Sequence, residues 1–299
     1  MNNTGQIIKI YIINLKRSTE RRSEMIRKLD ILGLEYEFFE AIDGKNLPQE
    51  TLDKIKAQPY SFKKAFNREM TAGEIGCAMS HLNLYQKIIR DEIEYALILE
   101  DDIDFDEQLQ LIVSNIKTRE VLKNKFDLVL LGYSANGIDY RKAADASWFG
   151  ERKMSDHISF RIPTVWYWST IGYLISDSAA KKLLAQGSLP RMPADFLTAN
   201  SPKYKVRLGV ANKPRIWPSE MDKFSLIGGE RGHPNEIKKD TILIPANDPI
   251  KKEKRSDLIE MLKQVYRNKR TGYHKIKKSL YSKFVKIIPY HYLYVSDKF

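Results

Sequence analysis

The chain has 299 residues, a net charge of +12, 42% hydrophobic residues and one cysteine, Cys77. That is enough apolar material for one large domain or two ordinary ones, and a single cysteine excludes an intramolecular disulfide framework. No window is apolar over the roughly 18 residues that a membrane span needs, and Met1–Gln6 lacks the basic and apolar regions of a secretory signal.

The charge is unevenly placed. Residues 251–299 hold 14 Lys/Arg against Glu253, Asp257, Glu260 and Asp297, leaving 36 basic and 34 acidic residues elsewhere. The chain therefore reads as a near-neutral body, 1–249, and a basic tail, 250–299, and the tail is the part that attracts an anionic partner. Nucleic acid is not the expected partner, because the body carries no RNA-binding signature and no zinc module.

In chain order, the β-branched run 7–13 predicts a first strand. Ser18 is placed to cap a helix with Met25, Ile26, Leu29 and Leu32 on one face, stopping at Gly33. Glu35–Phe39 predicts a short second strand, so the chain opens as a β–α–β unit. Residues 44–68 read as loop-rich. Thr71-Ala-Gly-Glu74 then has the capping-box pattern, and Ile75, Met79, Leu82, Tyr85, Ile88 and Ile89 recur at helical spacing up to Arg90.

The apolar run Ala96–Leu99 leads straight into Glu100, Asp101 and Asp102. A short apolar run bounded by charge predicts a buried strand with three carboxylates at its end. Adjacent carboxylates repel, and a hard divalent cation (Mg²⁺ or Mn²⁺) offsets that cost; a solvated acidic loop is the plain alternative. A helix is expected over about 107–118, a strand at Phe126–Leu131, and a long loop or lid over 133–165. Strand character resumes at Ser169–Ser176, followed by a helix over Ser178–Ala185, a short helix opening at Met192–Leu197, and short strands at Val206–Val210 and Arg215–Trp217. In the tail, Leu258, Met261, Leu262, Val265 and Tyr266, then Tyr273, Ile276, Leu280, Phe284 and Ile287, form two amphipathic stripes among lysines.

Several side chains are candidates for chemistry. Lys16, Arg17, Arg21 and Arg22 sit where the first strand turns into a helix, a place suited to a diphosphate or simply to a solvated basic face. His81 reads as a helix histidine, with no second histidine at ligand spacing; His233, behind Gly228-Gly-Glu-Arg-Gly232, is a weaker candidate; Cys77 reads as a small core residue. Asp195 opens a short helix as a cap, or as a general base. Trp148, Trp166, Tyr167 and Trp168 suit either sugar stacking or a core.

Five segments occur in order: Ile12-Ile-Asn-Leu-Lys-Arg-Ser-Thr-Glu-Arg-Arg22, Arg68-Glu-Met-Thr-Ala-Gly-Glu-Ile-Gly-Cys-Ala-Met-Ser-His81, Ala96-Leu-Ile-Leu-Glu-Asp-Asp102, Gly172-Tyr-Leu-Ile-Ser176 and Met192-Pro-Ala-Asp-Phe-Leu197. Together, over residues 7 to 230, they resemble glycosyltransferase family 25, the bacterial lipopolysaccharide and lipooligosaccharide glycosyltransferases, to which collagen galactosyltransferases are related. The resemblance implies an α/β fold of GT-A type, a Rossmann-like nucleotide-binding sheet flanked by helices. It implies a UDP-sugar donor, usually UDP-galactose, and inversion to a β-linkage on a lipid-linked oligosaccharide.

By the same resemblance, Asn14, Arg17 and Arg21 match the donor-side opening motif. Glu100-Asp101-Asp102 matches the acidic metal motif for Mn²⁺ or Mg²⁺, with Asp102 as direct ligand, Asp101 beside it and Glu100 toward the donor. Glu100 stands where that motif more commonly begins with Asp. His81 falls in a Ser-His motif on the donor side, and Asp195 matches a Pro-x-Asp motif as base. The tail is then expected to attach the protein to an anionic membrane surface, the cytoplasmic face of a bacterial inner membrane, with each Lys or Arg contributing about 1 kcal/mol. A non-catalytic member that binds sugar nucleotides or anionic surfaces is the alternative.

Overall fold

The structure is a computed structural model that describes residues 6–219 except 59–61, 63–67, 135–141 and 145. All of these belong to the first of two units, Met1–Ile237. The basic tail, His233 and its glycine-rich segment lie outside the described residues. No described helix is long and apolar enough to cross a membrane.

The β–α–β opening forms as expected. Strand β1 (Lys9–Asn14), helix α1 (Thr19–Ile31) and strand β2 (Tyr36–Glu40) follow one another, and β1 pairs parallel with β2 in register Ile10 to Tyr36. Helix α1 buries Met25 and Leu29 and ends where Gly33 takes φ +63°, the left-handed turn that glycine enters without steric cost. Ser18 stands at the N-cap but makes no side-chain capping bond, contrary to expectation. Its backbone is bound instead: its N–H donates to Leu15 O and its carbonyl accepts from Asn14 Nδ2.

Residues 44–68 hold more structure than their mixed composition suggests, a 3-10 turn at Gly44–Asn46 and helix α2 (Gln49–Lys56). The turn packs on helix α3 (Ala72–Arg90). A Cβ added at Gly44 would lie 1.7 Å from Ala72 O, so only glycine permits this approach. Ser80 Oγ reinforces the contact by accepting from Ile42 N at 2.8 Å and donating to Gly76 O at 2.7 Å. Both reciprocal bonds of the Thr71–Glu74 capping box are present, and Arg68 holds Glu74 bidentately at 2.8 Å.

Strand β3 (Tyr95–Glu100) ends at the acidic motif, and β4 (Ile103–Phe105) follows at once. The single helix expected over 107–118 is two helices, α4 (Gln108–Ser114) and α5 (Ile116–Asn124). Asn115 separates them: it is extended, at φ −92° and ψ 122°, and its side chain accepts from Lys117 N to cap α5. An asparagine that caps from within an apolar run competes with helix continuation.

Strand β5 (Leu128–Leu130) is followed by a second correction. The expected loop over 133–165 contains strands β6 (Ala146–Lys153) and β7 (Ser159–Pro163), an antiparallel hairpin at the sheet edge. Its register shifts between Ser147 and Arg152, with Gly150 at φ +80° inside the irregular stretch. Such a bulge destroys the two-residue alternation by which a strand is read from sequence. The chain then adds β8 (Gly172–Ser176), α6 (Asp177–Leu184), α7 (Ala194–Ala199), a 3-10 turn at Ser201–Tyr204, β9 (Leu208–Ala211) and β10 (Ile216–Pro218).

Among the described residues, eight strands form one sheet in the order β2-β1-β3-β8-β5-β9-β7-β6, with a second sheet of β10 and β4. β1 pairs parallel with β3 and β5 with β9, while β8 runs antiparallel to both neighbours and β7 to both of its own. Six of the eight strands thus point one way. Strands β1, β3 and β8 are buried along nearly their whole length, as expected of central strands covered on both faces.

Candidate active site

The exit of β3 lies beside the exit of its parallel neighbour β1, because Ile13 pairs with Glu100. This register brings Asn14 to the acidic motif. Asn14 is buried, and its Nδ2 donates to Asp101 Oδ2 at 2.7 Å. Arg21, in the first turn of α1, donates through Nη1 to Asp101 Oδ1 at 3.2 Å and to Asp102 Oδ2 at 2.8 Å. Asp101 therefore has both oxygens oriented by protein donors. Pro218 of β10 pairs with Ile103, and Ser219 N donates to Asp102 O at 2.9 Å, which fixes the backbone at the third carboxylate.

Two other members of the basic cluster, Arg17 and Arg22, turn elsewhere. Arg17 forms an ion pair with Asp43, and Arg22 stacks over the Phe38 ring at 3.8 Å from its centroid. Of the cluster, Arg21 is the residue in ion-pair contact with the acidic motif.

Glu100 faces a different environment. Its Oε1 accepts from Thr170 Oγ1 at 2.5 Å and lies 4.0 Å from His81 Nε2. Burial, then the negative charges of Asp102, Asp101 and Asp195, push its carboxyl up to about 8, against the opposing hydrogen bond from Thr170. Its side chain keeps 26% exposure, so the enclosure is substantial but not complete. The rise comes first from enclosure and second from the carboxylates around it. An oxygen-only pair, Asp101 and Asp102, in a negative field fits a hard divalent cation.

His81 lies deep on α3, 1% exposed. Its Nδ1 is 2.7 Å from Tyr173 OH, which is itself 2.7 Å from Tyr85 OH. The imidazole stacks on the Tyr173 ring, and its Nε2 has no hydrogen-bond partner among the described residues. Burial lowers its pKa to about 3, so the ring is neutral at physiological pH. A buried nitrogen without a partner costs about 1–3 kcal/mol.

Asp195 sits in the first turn of α7, and its Oδ1 accepts from Phe196 N at 3.0 Å. The N-cap position belongs to Pro193, so Asp195 is not the capping residue. Its charge reaches both Glu100 and Arg68, which places it within electrostatic range of the acidic motif. Phe196 beside it anchors the aromatic group: Trp168 lies edge-on at 4.6 Å, Trp166 at 5.4 Å and Phe62 at 5.7 Å. Trp166 and Trp168 remain half-buried while Phe196 is buried, so the group is core on one side and surface on the other.

The family model for glycosyltransferase family 25 (LPS biosynthesis protein) matches residues 7–198, which contain Asn14, Arg21, His81, Glu100, Asp101, Asp102 and Asp195. The chain belongs to glycosyltransferase family 25. A Glycosyltransferase 25 family member from Anopheles gambiae is 33% identical over 189 residues, covering 62% of this chain and 30% of that protein. Procollagen galactosyltransferase 1-B from Xenopus laevis is 31% identical over 206 residues (66% and 32%), and procollagen galactosyltransferase 2 from Homo sapiens is 30% identical over 211 residues (66% and 31%). The chain spans about a third of the length of these curated relatives.

Within the family 25 chain, the sequence reading missed three residues that the structure brings to the motif. Thr170 arrives from the turn into β8, where nothing in its local sequence marks it, and Tyr173 from β8 itself, inside the segment Gly172–Ser176 that was matched without a role for its side chain. Cys77 carried a usable signal, since it stands one helical turn before His81 and so shares its face.

Proposed function

We propose that the protein transfers a hexose, galactose, from a UDP-sugar to an acceptor hydroxyl with inversion to a β-linkage. The observation that carries this reading is the convergence of Asn14 and Arg21 on Asp101 and Asp102 at the exit of β3. In open α/β sheets, ligands bind beyond the carboxyl ends of the strands, and a GT-A-type donor site there agrees with this placement. The names of the procollagen galactosyltransferase relatives support galactose, and the family's description supports a lipopolysaccharide-type, lipid-linked acceptor.

Each residue has a stated part. Asn14 and Arg21 fix the two aspartates in one orientation, so little ordering is left for donor binding. Arg21 also offers a guanidinium to the diphosphate. Asp102 with Asp101 would hold Mn²⁺ or Mg²⁺, which neutralises diphosphate charge on the leaving group when bound. Asp195 takes the proton from the acceptor hydroxyl as the new bond forms. The half-buried Trp166 and Trp168 next to Phe196 offer ring faces to an acceptor sugar. We extend the same reading to the tail, whose lysines would hold the protein on an anionic membrane surface on the cytoplasmic face, where a lipid-linked acceptor is presented.

A second reading, a family member that binds sugar nucleotides without turnover, draws on Asp101, both of whose oxygens already accept from Asn14 and Arg21. One experiment separates the two. UDP release and donor binding are measured together across a panel of UDP-sugars, with Mn²⁺ and with EDTA, for the wild type and Asp102→Ala. Metal-dependent release from one UDP-sugar, lost in the variant, supports transfer. Binding without release in the presence of candidate acceptors supports the second reading, and absence of both sinks the donor site.

A further inference from the structure

Cys77, His81 and Glu100 each offer one ligand atom, and these atoms lie within 4.8 Å of one another. Cys77 and His81 share a face of α3, one turn apart, and Glu100 meets them from the end of β3. We propose that these three residues bind a single borderline-soft divalent cation, Zn²⁺ by the chemistry of the set, at a site distinct from the oxygen-only pair Asp101–Asp102.

Four observations carry this. The first is the unpartnered, buried His81 Nε2 beside Glu100 Oε1. A nitrogen lone pair enclosed and left without a donor is what a metal would take up. Second, the opposite ring nitrogen is already held. Tyr173 OH lies 2.7 Å from Nδ1 and 2.7 Å from Tyr85 OH, so Nδ1–H can donate to Tyr173 OH and Tyr173 OH on to Tyr85 OH, the arrangement that leaves Nε2 basic. Histidine ligands are oriented in this way, through the ring nitrogen that does not touch the metal. Third, the charges balance: a thiolate and a carboxylate together neutralise a divalent cation, so the occupied set carries no net charge into a largely enclosed place. Fourth, Cys77 and Glu100 are only partly buried, which leaves a route in and one tetrahedral position for water.

The sulfur and nitrogen donors separate this site from the aspartate pair. Mg²⁺ and Mn²⁺ favour oxygen ligands, while a thiolate with an imidazole selects Zn²⁺ or its spectroscopic substitute Co²⁺. The inference does not depend on sugar transfer, because cation binding here needs neither a donor nor an acceptor. Bound metal would tie α3 to the end of β3 and hold Glu100 in place beside Asp101.

The test uses the full chain, stripped with EDTA and titrated with Co²⁺ alone. One equivalent should bind with a thiolate-to-cobalt charge-transfer band and the strong visible absorption of tetrahedral Co²⁺. Zn²⁺ should bleach both and slow alkylation of Cys77, a clean readout because the chain has one cysteine. Cys77→Ser should abolish the charge-transfer band, His81→Gln should weaken binding by at least about tenfold, and Asp102→Asn should leave the band in place. Circular dichroism reports whether each variant is folded. If a variant does not fold, Zn²⁺ protection of the wild-type thiol decides the same point without a substitution. No thiolate band and no protection, or a band that survives Cys77→Ser, overturns the site. Loss of UDP-sugar binding with the cobalt spectrum intact would break the transfer reading alone.

Discussion

Two acidic positions on strands that run the same way show what each edge of the sheet is for. Asp127 stands at the entry of β5, and Glu100, Asp101 and Asp102 stand at the exit of β3. Asp127, 4% exposed at its side chain, accepts from Arg207 N and Lys182 Nζ at 2.9 Å, Arg207 Nε at 3.1 Å and Arg207 Nη2 at 2.6 Å. Burial opposes its charge, but these bonds win and hold its carboxyl below the usual range. At the other edge burial, and then the neighbouring carboxylates, push Glu100 the opposite way. One edge stabilises a charge and the other opposes one. The second arrangement is of the kind that clusters at functional sites.

The sharpest way to break this comparison is to remove one carboxylate from each edge. Asp102→Ala is expected to lower UDP-sugar turnover by at least about a hundredfold, the scale of losing a directly acting electrostatic group. Its melting temperature should stay within a few degrees of the wild type, since Arg21 keeps Asp101 at 3.2 Å. Asp127→Ala should do the reverse. Breaking a buried ion pair costs about 3–5 kcal/mol, and the partial exposure of Arg207 and Lys182 reduces this to roughly 2–3 kcal/mol. Calorimetry should show Tm lower by about 5–10 °C with the donor affinity unchanged at a temperature where the variant is folded. A stability loss on the site edge equal to that of Asp127→Ala would remove the distinction.

The two edges were unequally legible in the sequence. The acidic motif announces itself because an apolar run stops on three carboxylates, and β1, α1, β2 and α3 follow from β-branched runs and helical spacing. The partners do not announce themselves. Arg21 and Asp101 are 80 residues apart, and it is the parallel pairing of Ile13 with Glu100 that brings the Asn14 and Arg21 ends to the motif. Spacing along the first helix placed four basic residues together, whereas the structure sends Arg17 to Asp43 and Arg22 to Phe38. Cys77 looked like core because its relation to Glu100 runs through β3, not through its own helix. The β6–β7 hairpin was hidden by its bulge, and the break at Asn115 by the apolar residues on either side of it.

A smaller effect sharpens the electrostatic half of the comparison. A carboxyl that titrates at about 8 when folded and near 4.5 when unfolded binds its proton more tightly in the folded state. Its contribution to stability is present below about pH 4.5 and is lost as pH rises through about 8. Asp127 has the opposite sign: its contribution is present above about 3.8, its ordinary value, and is lost as pH falls below it. In EDTA, denaturant unfolding from pH 5 to 8.5 should therefore show a decline in wild-type stability that Glu100→Gln flattens. The amide keeps an oxygen for Thr170 Oγ1, so the hydrogen bond at 2.5 Å is not the cause of any difference. An unchanged slope in Glu100→Gln would mean that Glu100 is not the group whose proton uptake sets the decline.

The smallest expected effect separates support from chemistry on helix α3. Thr71→Ala removes one of the two reciprocal capping bonds, Glu74 N to Thr71 Oγ1 at 3.1 Å, while Glu74 stays bound to Thr71 N at 2.9 Å and to Arg68. Loss of an N-cap side chain costs about 1 kcal/mol. Because Glu74 keeps its other bonds, Tm should fall by about 2–4 °C and no more. The cap lies more than one turn before Cys77 and His81, and the contact of Gly44 with Ala72 pins the intervening backbone. Fraying at Thr71 should therefore stop short of them, and the cobalt spectrum of Thr71→Ala should match that of the wild type. A changed spectrum would show that the first turn of α3 itself holds Cys77 in place, and would move the boundary between scaffold and site one turn toward the helix start.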